Sequence, residues 1–111
     1  MESSQRTIEF YRTGKARQPF TEWLYGLKDF KGQSRIEIKL DRLRLGNFSG
    51  CASLGGGVHE LKVDFGPGYR VYFGDVDNVV VLLLCGGDKS TQAKDIDLAK
   101  KYWADYKKRD R

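Results

Sequence analysis

The chain has one histidine, His59, and two widely separated cysteines, Cys51 and Cys85. A single histidine excludes a His-based metal cluster, and two distant cysteines argue against a zinc site. They are also too few for the disulfide framework of a small secreted domain, so both read as free thiols of a reducing compartment. Long apolar runs are missing too. The longest, "VVVLLLC" at 79–85, has the length of a central strand and falls well short of the ~20 residues that a membrane span needs. Residues 1–10, "MESSQRTIEF", hold no apolar signal segment, which argues against secretion and makes the cytoplasm the expected compartment. Proline occurs twice, at Pro19 and Pro67, so punctuation of the chain falls mainly to glycine.

What is abundant is positive charge. Lys and Arg outnumber Asp and Glu by 20 to 15, a net charge of +5, which suggests a polyanionic partner, nucleic acid or an acidic protein. The length of 111 residues favours one domain, long enough to bury a core unaided.

The pattern along the chain predicts an α+β fold in the order β-α-α-β-β-β-α. "TIEFYRT" at 7–13 alternates as a strand does. Pro19 opens a helix over 19–30, with Phe20, Trp23, Leu24, Leu27 and Phe30 on its apolar stripe. A second helix over 34–45 carries Ile36, Leu40 and Leu43 inward and Arg35, Lys39, Arg42 and Arg44 on its other faces. "GNFSGCASLGGG" at 46–57 has the composition of a loop. Three strands follow, "VHELKVDF", "YRVYFGD" and "NVVVLLLC", joined closely enough to be antiparallel neighbours. A last helix over 91–108, capped by Ser90 or Thr91, has Ile96, Ala99, Trp103 and Tyr106 on one stripe.

The chemistry concentrates in "ELKVDFGPGYRVYF" at 60–73. A three-residue turn at 66–68 would pair Phe65 with Tyr69, Val63 with Val71 and Leu61 with Phe73, an apolar face. The other face would pair Asp64 with Arg70 and Lys62 with Tyr72, with Glu60 nearby, and form an open sheet surface. On pattern alone, Asp64 and Arg70 make a cross-strand ion pair of about 0.2–1 kcal/mol. "GGDKST" at 86–91 adds Lys89 at a glycine turn. It is no Walker A loop, because Asp88 separates Gly87 from Lys89 and Leu82 stands where the motif's first glycine belongs. His59 falls on the apolar face as a structural residue, and no Ser-His-Asp motif accompanies it.

"LGGGVHELKVDFGPGYRVYF" followed by "LLLCGGDKSTQAKDIDLAKKYW", with "PFTEWLYGL" and "RLRLGNF" upstream, resembles the RelE/ParE superfamily of bacterial toxins. The nearest branch is that of the addiction-module killer proteins, grouped with HigB-like toxins. The resemblance covers nearly the whole chain. It implies a small antiparallel sheet flanked by helices, and an endoribonuclease that cuts mRNA in the ribosomal A site with no metal or cofactor. In that chemistry the 2′-hydroxyl attacks its own adjacent phosphate, and fixed cations meet the charge that gathers on the phosphoryl oxygens.

By position, Arg70 matches the phosphate-binding strand arginine, Lys62 a basic residue of the preceding strand and Lys89 the basic residue after the last strand. The family's other strand lysine falls at Glu60. The tyrosine of some members falls near Asp95 or Ile96, and no histidine takes the C-terminal catalytic place. Glu60, Asp64 and Tyr72 are the candidates for proton transfer. Lys39, Arg42, Arg44, Gln92 and Lys94 are the candidate RNA contacts. The implied partners are the ribosome, mRNA and a helix-turn-helix antitoxin, with operator DNA reached only through the antitoxin. The same family also implies two alternatives, inhibition of DNA gyrase and antitoxin binding with little toxicity.

Overall fold

A computed structural model describes residues 5–109. Residues 1–4, part of the stretch read as free of a signal segment, lie outside the described residues. The elements are β1 (Thr7–Phe10), α1 (Pro19–Gly26), α2 (Phe30–Arg44), β2 (Cys51–Gly55), β3 (Val58–Val63), β4 (Tyr69–Val76), β5 (Val80–Asp88) and α3 (Gln92–Arg109), with a 3-10 turn at Lys89–Thr91. The five strands form one sheet in the order β1-β5-β4-β3-β2. The fold is α+β, as the pattern predicts. Its sheet is antiparallel except where β1 runs parallel to β5, a pairing that only a long excursion of chain can supply.

Three boundaries differ from the sequence expectation. The first helix stops at Gly26, because Leu27 turns extended and Asp29 caps a new helix by accepting the Gly32 N–H at 2.9 Å. The second helix, expected over 34–45, begins at Phe30 and takes Gly32 into its first turn. The segment 46–57, expected as a loop, contains β2. Its glycines sit at the ends, where Gly50, Gly55, Gly56 and Gly57 take positive φ, and the intervening residues are free to pair with β3 as an edge strand.

Two layers cover the sheet. Phe20 and Leu24 of α1, with Ile36, Leu40 and Leu43 of α2, pack on Leu61, Val63, Val71, Phe73, Val81 and Leu83. On the other face, Ala99 and Trp103 of α3 pack on Val58, Tyr72, Leu82, Leu84 and Cys85. Both faces of β5 are buried, which is why its sequence is an unbroken apolar run rather than an alternation. A register shift between Tyr72 and Phe73 places Leu84 and Cys85 together on the α3 side. His59 stacks on Phe73 with centroids 5.2 Å apart, the structural role expected of it. Among the described residues no helix is long and apolar enough to cross a membrane.

Each layer rests on an indole pressed against backbone. A Cβ on Gly74 would fall 2.3 Å from the Trp103 ring, and one on Gly86 would fall 2.3 Å from Trp23. The Trp103 N–H donates to the Gly56 carbonyl at 2.7 Å. Gly74→Ala and Gly86→Ala should therefore each lower stability by about 1–3 kcal/mol in urea unfolding. Gly14→Ala, where nothing lies within 4 Å, should stay within about 0.5 kcal/mol of wild type.

Candidate functional site

The hairpin that carries Lys62 and Arg70 closes through five residues, 64–68, rather than three. Gly66 and Gly68 take positive φ, and the Gly68 N–H donates to the Phe65 carbonyl at 3.1 Å. The register therefore moves by two residues. Lys62 faces Arg70, Glu60 faces Tyr72 and Leu61 faces Val71. A two-residue shift keeps each side chain on its expected face, whereas a shift of one would have inverted them. The predicted Asp64–Arg70 pair is replaced by an Arg70–Glu60 pair, and Asp64 is exposed in the loop.

The surface expected to be open is largely covered by α3. Arg70 is 6% exposed, Glu60 8% and Tyr72 0%. The Arg70 Nη1 donates to the Gly68 carbonyl at 2.5 Å. Its Nε lies 3.7 Å from Glu60 Oε2 and makes no hydrogen bond. The same Glu60 oxygen accepts from Gln92 Nε2 at 2.7 Å, so the first residue of α3 reaches back to the sheet. The Tyr72 phenol is fully buried without a hydrogen bond of normal geometry. Burial first, then the charges of Glu60 and Asp95, raises its pKa. It stays protonated and out of reach of any ligand at the surface.

Asp95 is the polar group that pattern reading missed. It is 9% exposed and accepts from Thr91 Oγ1 at 2.5 Å. A Cβ on Gly87 would fall 1.8 Å from its Oδ2. Gly87 sits directly opposite Arg70 in β5, so the glycine pair read as a turn is strand, Gly86 kept bare for Trp23 of α1 and Gly87 for Asp95 of α3. A glycine inside a strand pattern is the signal that marks such a close approach. Asp88 caps the 3-10 turn that leads into α3, with the Thr91 side chain completing the capping box. It accepts from the Ser90 N–H at 2.8 Å, and bonds from the Ser90 side chain and backbone hold its carboxyl below the usual range.

Three cations meet at this end of the sheet. Lys62 is exposed and directly opposite Arg70. Lys89 is exposed in the turn after β5. A Cβ on Gly68 would lie 3.1 Å from Arg70 Nη1 and 3.6 Å from the Lys89 Cβ, so both residues border the same bare glycine. Like charges set directly opposite on a sheet are destabilising, and the Glu60 carboxylate offsets that cost beneath them. The remaining candidates are dispersed. Lys39 and Arg42 line a hollow of about 360 Å³ with Arg35, Ile38 and Phe65, on α2 across the sheet from α3. Arg44 pairs with Asp41 at 2.7 Å. Lys94 is exposed on α3, and Gln92 is engaged with Glu60. A second hollow of about 430 Å³, lined by Phe10, Phe20, Leu24 and Tyr25 among others, lies away from the three cations.

Burial pushes the Cys51 thiol up to about 11 and the Cys85 thiol up to about 12, so neither is a reactive thiolate at neutral pH. Among the described residues no group of three or more His, Cys, Asp and Glu side chains is placed to hold a metal ion.

An uncharacterized protein of Haemophilus influenzae is 48% identical over 81 residues, a span of 73% of this chain and 82% of its own. The chain belongs to one family with that protein. No family model matches the chain.

The hairpin that carries Lys62 and Arg70 is tied to the start of α2 through Tyr69, whose hydroxyl donates to Asp29 Oδ2 at 2.7 Å. Burial, helped by the Asp29 bond and charge, pushes the Tyr69 phenol from 10.0 up to about 12. A raised phenol pKa contributes stability that is fully present below pH 10 and lost as pH rises towards 12. Tyr11, also pushed up to about 12 by burial first and by Asp105, acts in the same window. Urea midpoints should fall between pH 10 and 12, and Tyr69→Phe should reduce that fall while lowering stability at pH 7.

Proposed function

We propose that the chain is the toxin of a bacterial toxin–antitoxin module, a ribosome-dependent mRNA endoribonuclease of the cytoplasm that inhibits translation. The observation that carries this reading is the meeting of Lys62, Arg70 and Lys89 at one end of the sheet. The mRNA 2′-oxygen bonds to its adjacent phosphorus, the bond from phosphorus to the 5′-oxygen breaks, and the products are a cyclic phosphate and a 5′-hydroxyl. No metal is required by this chemistry, since the negative charge that builds on the phosphoryl oxygens is met by fixed cations. Arg70 offers a planar fork held from below, and the two lysines supply mobile charge from the rim. A net charge of +5 steers the protein to RNA. The same basic end suits an acidic segment of a helix-turn-helix antitoxin, through which operator DNA would be reached.

A second reading, a gyrase inhibitor of the ParE kind, is favoured by one feature. Arg70, Glu60 and Tyr72 are all buried, which takes two of the three candidate proton-transfer groups from the surface and leaves Arg70 only 6% exposed, while the third group, Asp64, lines the α2 hollow with Lys39 and Arg42. Primer extension on translated mRNA after induction separates the two. Cuts phased to codons and ending in 5′-hydroxyls are expected for wild type. Arg70→Ala should weaken them by about 10²–10³-fold, the effect of removing one oxyanion donor. Lys62→Ala and Lys89→Ala, at exposed positions that leave the fold intact, should each cost on the order of tenfold. Intact mRNA together with a DNA-damage response would replace this reading with the second.

A further inference from the structure

The phosphate site described above uses the guanidinium of Arg70 and assigns nothing to the carboxylate beneath it. Glu60 stands on β3, enclosed by β4 and α3, and is 8% exposed. One of its oxygens, Oε2, lies 2.7 Å from Gln92 Nε2 and 3.7 Å from Arg70 Nε. Two buried donors beside this carboxylate, Arg70 Nε and the Tyr72 hydroxyl, lack a hydrogen bond of normal geometry. A carboxylate has about four acceptor positions, so Glu60 keeps capacity for both. We infer that Glu60 is the positioning residue of Arg70, and that Gln92 locks Glu60 in place from the first turn of α3.

This inference rests on the reading of Arg70 as a phosphate-binding residue, and it changes what Glu60 does there. A general base must reach the 2′-hydroxyl, and the Glu60 oxygen beside Arg70 is already engaged by Gln92, with Asp95 the other buried carboxylate nearby. What it supplies instead is orientation. The Gly68 carbonyl fixes Nη1 of the guanidinium, and the Glu60 charge attracts the Nε edge. A fork held on two sides is already aimed when a phosphate arrives, and such preorganisation is what makes a donor effective in a transition state. The Gln92 bond couples that aim to the docking of α3, because Gln92 moves with the helix.

Two readouts test this. The Arg70 Nε–H resonance, assigned by its loss in Arg70→Lys, reports the guanidinium's surroundings in the purified protein. Cleavage of ribosome-bound mRNA across pH reports its use. In Gln92→Ala the resonance should shift, kcat should fall by about 10–100-fold, KM should change little, and the pH profile should keep its shape. Glu60→Gln should do the same more strongly. An unchanged resonance with unchanged kcat in Gln92→Ala would overturn the inference. So would loss of the acidic limb of the pH profile in Glu60→Gln, which would make Glu60 the base. If Glu60→Gln does not fold, Gln92→Ala still decides. If wild type leaves mRNA intact, the ribonuclease reading fails by itself, and the resonance in Gln92→Ala still decides the positioning.

Discussion

The seating of Trp103 against the backbone of Gly74 is the contact from which the α3 side of the molecule follows. The indole fits because no Cβ stands in its way at Gly74, and its N–H is satisfied by the Gly56 carbonyl. With that ring seated, α3 lies along the sheet and covers Val58, Tyr72, Leu82 and Cys85. Its first turn then comes down over Arg70 and Glu60. A surface that would have been an open array of charges becomes a buried ion pair with a basic rim. A buried charge is costly unless it is paired and hydrogen-bonded. Glu60 pairs with the Arg70 charge and the Gly68 carbonyl accepts from its Nη1, while Gln92 bonds Glu60 and Arg70 Nε is left without a hydrogen bond.

The same arrangement separates two kinds of cation. Arg70 is held and nearly desolvated, bonded through Nη1 to the Gly68 carbonyl and beside Glu60 at Nε. Lys62 and Lys89 are exposed and free to follow a ligand. Arginine suits the first role because its fork is planar and permanently charged, and lysine suits the second because it is a compact charge on a flexible stem. On the far side of the sheet, Asp29 joins the start of α2 to the Tyr69 hydroxyl at 2.7 Å. The hairpin of β3 and β4 is therefore braced from the α2 layer, while its strand residues Lys62 and Arg70 lie on the other face of the sheet.

The class of fold, the two sides of each hairpin strand and the apolar stripes of the helices were legible, because side-chain periodicity reports them directly. The pairing partners were not. Alternation is blind to a shift of two, and the loop length that set it depends on Gly66 and Gly68 taking positive φ. Strand β2 was hidden by a glycine-rich composition whose glycines fall at its ends. The greatest loss of legibility was the burial of Arg70. Nothing local to "GPGYR" announces that a helix beginning at Gln92 will bond the Glu60 partner of Arg70. The signal lay elsewhere, in Gly74 and Gly87, glycines inside strands that admit Trp103 and Asp95. Of the candidate site, Lys62, Arg70 and Lys89 come together, whereas Lys39, Arg42 and Arg44 belong to another layer. Resemblance to a toxin family supplied the chemical reading of those cations, which periodicity alone leaves as a solvated ion pair.

The most direct measurement of the central claim is a structure of the protein bound to a short RNA whose 2′-hydroxyl at the cleavage position is methylated. The account predicts the scissile phosphate within hydrogen-bond distance of the Arg70 guanidinium, with the Lys62 and Lys89 ammonium groups on its other oxygens and Glu60 still bonded to Gln92. An RNA seated along Lys39 and Arg42 of α2, with Arg70 untouched beneath α3, would contradict it.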